Sequence, residues 1–212
     1  MKEIQRISPV GFKSTPLKIE KRDNWDVVIE YGSEGEGPFV VDLSHRPRFD
    51  VQSSNLAAVT PFGMALPDLP GQSILKKGIL ASRMNKTQVS LLNLAGDDSI
   101  VMPDESVYTD VTESTLCVAL MGKEVFLICE KLTALDFMDT QKTVPCLFQG
   151  PFSHVPCQIV ILSKKGDQAG LILTCSRGYG RDMIHSILHA GEEFKLMPAG
   201  EARFTSWIKN LS

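Results

Sequence analysis

The chain has 212 residues, 43% of them hydrophobic, and a formal net charge of -3, a balance that suits one large or two small domains with a buried core and argues against a disordered chain. Lys and Glu are intermixed, with no basic stripe and no aromatics alternating with Lys or Arg, so no nucleic acid is expected as a partner. No apolar run approaches the roughly 18 to 20 residues that span a bilayer, and the opening Met1-Lys2-Glu3-Ile4-Gln5-Arg6-Ile7 is too polar for a secretion signal, so a cytoplasmic protein with no membrane partner is expected.

Residues 1–24 carry scattered apolar positions broken by Pro9 and Pro16, which reads as an extended arm. Trp25 to Tyr31 is β-rich, and the turn-forming stretch 32–38 joins it to Phe39 to Leu43 as a hairpin or a looped strand pair. Phe49 to Gln52 continues the sheet, Asn55 to Val59 is a short helix, and 61–71 is a Pro- and Gly-rich loop. Ser73 to Ala81 and Gln88 to Leu94 read as two more strands. Residues 96–107, rich in Gly, Asp and Pro, form the connection to a second unit. That unit holds Tyr108 to Val111, a strand over Leu116 to Met121 and a helix over Lys123 to Leu132, then strands at Pro145 to Phe148, Cys157 to Leu162 and Gly170 to Thr174. A final helix is expected to start at a Ser176 cap and stop at Gly191, with Tyr179, Met183, Ile184, Ile187 and Leu188 at helical spacing. Residues 192–212 form a tail whose Phe204, Trp207 and Ile208 cover either the last sheet or a partner surface.

The chain also repeats itself. Asp42-Leu43-Ser44, leading into an alternating run, returns as Asp110-Val111-Thr112 before a second one. The expected architecture is therefore α+β, made of two related units with mostly antiparallel sheets, residues 25–95 and 108–191.

The chemistry-bearing residues are sparse. Cys117, Cys129, Cys146, Cys157 and Cys175 sit in apolar patterns without any CxxC, and read as small hydrophobes. Asp182, His185 and His189 share one face of the last helix, but no fourth ligand accompanies them and no metal is expected. His45 and Arg46, where a strand turns at Pro47, could face a ligand carboxylate; the preferred reading makes Arg46 and Arg48 solvated strand-end charges and His45 a turn residue. Arg177-Gly178-Tyr179-Gly180 opens a helix that could cradle an anion.

Several stretches together resemble the folate-binding fold shared by the glycine-cleavage T-protein, an aminomethyltransferase, and the γ subunit of heterotetrameric sarcosine oxidase. They are Val41 to Val51, Tyr108 to Gly122 followed by Leu132 to Asp136, Arg177 to Leu188, and Leu196-Met197-Pro198-Ala199-Gly200. T-proteins carry a glutamate-bearing hairpin where this chain has Ser163 to Gly170, and a Gly-Gly-x-x-Asp-Asp strand where it has Arg83 to Leu92. The latter stretch is more similar to sarcosine oxidase γ subunits, and so is the length, since T-proteins run on into a further domain. The resemblance implies an accessory, non-catalytic or folate-associated protein of one-carbon metabolism. Tetrahydrofolate is its candidate cofactor, contacted by His45, Arg46, Arg83, Asn85 and Arg177, with no catalytic residue. Oxidase or dehydrogenase subunits, or a second copy of the chain, are the expected partners. An active folate-dependent aminomethyltransferase using relocated carboxylates such as Asp97, Asp98 or Asp167, and a stand-alone folate-binding module, are the alternatives.

Overall fold

A computed structural model describes residues 4–95 and 105–211. Asp97, Asp98 and most of the connecting segment lie outside the described residues.

Strand β1 (Pro16–Arg22) pairs with β2 (Trp25–Tyr31) as a separate two-stranded hairpin. The arm expected at 1–24 therefore ends in a strand, and β2 takes β1 as its partner instead of residues 39–43. The physical reason is the turn: Asp23 and Asn24 both adopt left-handed φ, of 44° and 62°, the conformation that tight hairpins need and that Asx side chains tolerate. In β2, Trp25, Val27, Ile29 and Tyr31 are buried while Asp26 and Glu30 face out, the period of two that a half-buried strand shows.

The remaining strands form two sheets. Residues 48–110 supply β4 (Arg48–Gln52), β5 (Ser73–Lys76), β6 (Ile79–Arg83), β7 (Gln88–Asn93) and β8 (Tyr108–Asp110), in the order β5-β6-β7-β4-β8. The other sheet runs β10-β11-β12-β9-β3-β13 and is built from β3 (Phe39–Asp42), β9 (Thr115–Met121), β10 (Cys146–Phe152), β11 (Val155–Ser163), β12 (Gly170–Ser176) and β13 (Met197–Ala199). Every pairing is antiparallel except β13 with β3. Residues 49–52 thus do not continue the sheet of 39–42; the chain bends at Pro47 and changes sheets. The segment 73–81 is two strands, because Lys77 and Gly78 turn back with φ of 51° and 76°. A Cβ at Gly78 would come within 2.3 Å of the Ala95 side chain.

Three α-helices among the described residues complete the α+β fold, α1 (Val125–Glu130), α2 (Gly180–Gly191) and α3 (Glu201–Lys209). Ser176 makes no capping bond, since a short 3-10 turn, Arg177–Tyr179, intervenes before α2. The 55–59 helix is a single 3-10 turn, Leu56–Ala58. Strand β9 is buried almost throughout, because its sheet is covered on both faces. On one side Leu116, Val118, Leu171 and Leu173 pack with Val125 and Ile128 of α1 and Met183, Ile184 and Ile187 of α2. On the other, Ala119, Met121, Val160 and Ile172 meet Leu80 and Leu92 of the five-stranded sheet.

The sequence repeat becomes a double crossing. At Asp42-Leu43-Ser44 the chain leaves the six-stranded sheet for the five-stranded one, and at Asp110-Val111-Thr112 it returns. Both aspartates accept from the amide two residues on, Ser44 N at 2.9 Å and Thr112 N at 2.8 Å. The hydroxyls then bridge to the opposite crossing: Cys117 N donates to Ser44 Oγ at 3.2 Å, and Arg48 N to Thr112 Oγ1 at 2.9 Å. Backbone bonds complete the exchange, Leu43 N to Cys117 O and Val111 N to Arg48 O, both 2.9 Å. The two crossings therefore hold each other by the same hydrogen-bond pattern.

Candidate functional site

The two sheets part at one end and leave a cavity of 340 Å³. Ladder register builds its walls. Across the five-stranded sheet Ser73 faces Ser82, Ser82 faces Ser90, and Ser90 faces Asp50, a polar row of which Ser82, Ser90 and Asp50 line the cavity. On the six-stranded sheet Gln158 and Thr174 are directly paired and look back across the gap. Leu80, Leu92, Val160 and Ile172 provide the apolar surface, and Ser114, Thr115 and Ser176 the rim. Convergent polar groups on an otherwise apolar wall are what ligand sites of this size present.

Asp50 is the carboxyl group of the cavity. It is half-buried, and Gln88 Nε2 donates to its Oδ2 at 3.0 Å. Burial pushes its pKa up, against a smaller downward pull from Gln88. On the paired strands Asp50 of β4 stands opposite Ser90 of β7, so the cavity holds a carboxyl group that the resemblance did not point to. Its signal lay in the sequence, in the alternation Arg48, Asp50, Gln52 within the repeat motif.

Arg48 precedes Asp50 by two residues and is only 2% exposed. Its guanidinium donates to the carbonyls of Leu43 (3.2 Å), Arg46 (2.9 Å), Ser44 (3.2 Å), Thr115 (3.0 Å) and Thr112, and to Thr115 Oγ1 at 2.8 Å. Burial draws its pKa down, while the charges of Asp42 and Asp110, the repeat's two aspartates, act in the other direction. Arg46 is also 2% exposed, so neither arginine is the solvated strand-end charge expected.

The residues expected at a ligand site lie in three places, and the lining of the cavity includes none of them. His45 Nε2 lies 2.8 Å and Arg46 Nη2 2.7 Å from Glu201 Oε1, at the start of α3, and Arg22 Nη1 is 2.5 Å from Oε2. Arg46 also donates to Leu94 O and lies over the Phe204 ring, 5.1 Å from its centroid. Burial alone would raise the pKa of Glu201, but the His45 hydrogen bond and the charges of Arg46 and Arg22 prevail and hold it at about 2. Arg83 donates to Asn85 O (2.7 Å) and Lys86 O (2.6 Å), and Asn85 Oδ1 accepts from Thr87 N at 2.9 Å, so this pair shapes the β6–β7 turn. Arg177 donates to Ile7 O and ties down the N-terminal segment. His45 borders a second cleft of 220 Å³ with Trp25, Tyr31 and Asp42; burial, with Asp42 and Glu34 nearby, pushes the Tyr31 phenol up to about 12. Phe204 is fully buried, and Trp207 packs on Gly170 with its Nε1 donating to Gln168 O at 3.3 Å, so the expected tail is a helix that covers the sheet.

No protein-family model matches the chain, and no curated protein matches it by sequence. Solved structures do match by shape. A chain of the heterotetrameric sarcosine oxidase from Corynebacterium sp. U-96, solved with pyrrole 2-carboxylate, aligns with a TM-score of 0.61 at 14% identity, covering 73% of this chain and 84% of that one. The glycine cleavage system aminomethyltransferase T from Bartonella henselae aligns with a TM-score of 0.60, also at 14% identity, over 88% of this chain. This chain spans 56% of that protein's length. The fold is the aminomethyltransferase type. No helix among the described residues is long and apolar enough to cross a membrane.

Proposed function

We propose that the chain is a ligand-binding protein of one-carbon metabolism whose inter-sheet cavity takes a reduced folate, tetrahydrofolate, and that it serves in the cytoplasm as an accessory subunit of an oxidase or dehydrogenase. The observation that carries this reading is the cavity itself, where Asp50, Ser90, Gln158 and Thr174 converge over an apolar wall. Its 340 Å³ suits one flat, hydrogen-bonding ring system, near the lower end of the roughly 300–1,000 Å³ typical of ligand pockets. The half-buried Asp50 carboxyl and the facing Gln158 carboxamide are suited to the polar edge of such a ring. The fold shared with a sarcosine oxidase chain and with an aminomethyltransferase supports the one-carbon setting. We read His45 and Arg46 as anchors of α3, Arg83 and Asn85 as turn residues, and Arg177 as the tie of the N-terminal segment. We read the cavity as the meeting place of the two units expected from the repeat, 25–95 and 108–191.

A second reading, an active folate-dependent aminomethyltransferase, has Asp50 in its favour, because a buried carboxylate can stabilise charge on a reacting amine. Titration calorimetry with tetrahydrofolate under anaerobic conditions tests the first reading. Saturable binding that weakens in Ser90→Leu and Asp50→Asn is expected, and heats indistinguishable from dilution refute it. Incubation with tetrahydrofolate and an aminomethyl donor tests the second: turnover abolished by Asp50→Asn establishes a transferase, and a flat baseline leaves the accessory role.

A further inference from the structure

We propose that Cys157 and Cys175 form a peroxide-oxidisable dithiol that closes into a cross-strand disulfide between β11 and β12. The inference does not rest on the identity of the cavity's ligand, although Cys175 also borders the cavity. The two residues are direct partners in the antiparallel ladder, both are free and 5% exposed, and both belong to the same buried cluster on one face of the sheet.

The ladder places them in the closer of its two kinds of pair. Gly122 N donates to Ala169 O, and Leu43 N to Cys117 O. Since residues along a strand alternate in the side to which their backbone groups point, Cys175 directs its amide and carbonyl toward Leu116 in β9 and away from β11. Cys157 and Cys175 are therefore a non-hydrogen-bonded pair, whose Cα atoms lie about 4.5 Å apart with side chains close. That separation is at the short end of the roughly 4.4–6.8 Å that disulfides span. Both residues neighbour exposed positions, Pro156 and Ser176, at the end of the sheet, which gives a small oxidant a short path.

Position at the sheet end assigns the order of events: Cys175 borders the cavity and adjoins the exposed Ser176, with its Sγ 3.6 Å from Ser176 O. The neighbouring Cys157 thiol favours the thiolate at Cys175, while Cys175 and burial disfavour it at Cys157. Cys175 sulfur attacks one oxygen of hydrogen peroxide; an S–O bond forms, the O–O bond breaks, and one water leaves. Cys157 sulfur then attacks the Cys175 sulfenic acid, forming the S–S bond and releasing the second water. Two electrons pass from the thiols to peroxide, and both thiol protons end in water.

The test is peptide mapping of the full chain after treatment with hydrogen peroxide and blocking of free thiols. Trypsin should release a linked pair joining 143–164 to 166–177, in wild type and in Cys146→Ser, and dithiothreitol should separate it. In Cys157→Ser the link should be absent, with dimedone labelling Cys175 instead. Because the wild-type map needs no variant to fold, it decides alone if a substitution destabilises the core. Absence of the linked pair at peroxide doses that convert Cys175 to sulfinic acid overturns the proposal, as does a link that persists in Cys157→Ser.

Discussion

Replacing Glu201 by Gln removes one charge from the most deeply buried ionic cluster described here and leaves the shape almost unchanged. Glu201 is 3% exposed and joins His45, Arg46 and Arg22. Its carboxyl titrates near 4.5 when unperturbed and at about 2 in the folded chain. A folded pKa below the unfolded one gives stability that is present above the unfolded value and is lost as pH falls through the folded value. The shift corresponds to about 3 kcal/mol at neutral pH, and less than half of it survives at pH 3. Glu201→Gln should therefore lose about 3 kcal/mol at pH 7, consistent with the cost of stranding a buried partner charge. At about 2–4 °C per kcal/mol for a chain of this size, the melting temperature should fall by roughly 6–12 °C. Urea unfolding of both proteins between pH 7 and pH 3 should show the gap narrowing only below pH 5. Replacing the most deeply buried pair, Arg46→Met with Glu201→Leu, should recover part of the loss, because the two least exposed charges go together and Arg22 keeps Glu20. A gap of the same size at pH 7 and pH 3, or one below about 1 kcal/mol at pH 7, would show that the cluster is not what anchors α3.

Three further outcomes follow from the same structure. Arg48→Met should cost at least about 3 kcal/mol, since the carbonyls of both crossings lose their donor inside the protein; Arg48→Lys should recover only part of this, and a neutral result by chemical denaturation contradicts the role given to Arg48. Asp50→Asn should raise the melting temperature at pH 7, because burial lifts this carboxyl's pKa and the contribution of such a group, full below its unfolded pKa, is lost as pH rises through the folded one; the gain should vanish toward pH 3, and a loss at pH 7 refutes it. Trp207→Ala should lower stability by about 1–3 kcal/mol through lost packing on Gly170 and leave the mass measured by light scattering unchanged; loss of an assembly at constant melting temperature makes the α3 face an interface instead.

What could be read from the sequence depended on how local its cause was. Strand β9 and helix α2 follow from apolar spacing alone, and both are where the pattern puts them. Strand β1 was hidden because Pro16 opens it and Leu17 and Ile19 are exposed, so its pattern lacks a buried face. The break at Lys77-Gly78 is a turn that an apolar run such as Ile74, Leu75, Ile79 and Leu80 conceals. Arg46 and Arg48 were misjudged for a reason beyond local pattern. Their partners are Glu201, 155 residues away, and the carbonyls of a second crossing contributed by Thr112 and Thr115. No window along the chain contains both sides of those contacts.

The double crossing connects these cases. A chain that passes between two sheets must leave backbone carbonyls buried at the bend with no ladder to satisfy them. Here one bend supplies the donors for the other: the side chains of Ser44 and Thr112 pair with the opposite strand, and Arg48 collects carbonyls from both. Because Arg48 begins β4, its alternation fixes which way Asp50 points, into the gap beside the crossing where the sheets cannot close. The cavity and its carboxyl group are thus consequences of the repeat. A change at Ser44 or Thr112 should be felt at Asp50 even though neither lines the cavity, and Thr112→Val is the sharper probe, since it removes the acceptor of Arg48 N while preserving shape. Weaker ligand binding in Thr112→Val, with Asp50 intact, is the expected result; unchanged affinity together with a large loss of stability would separate the cavity from the crossing beside it.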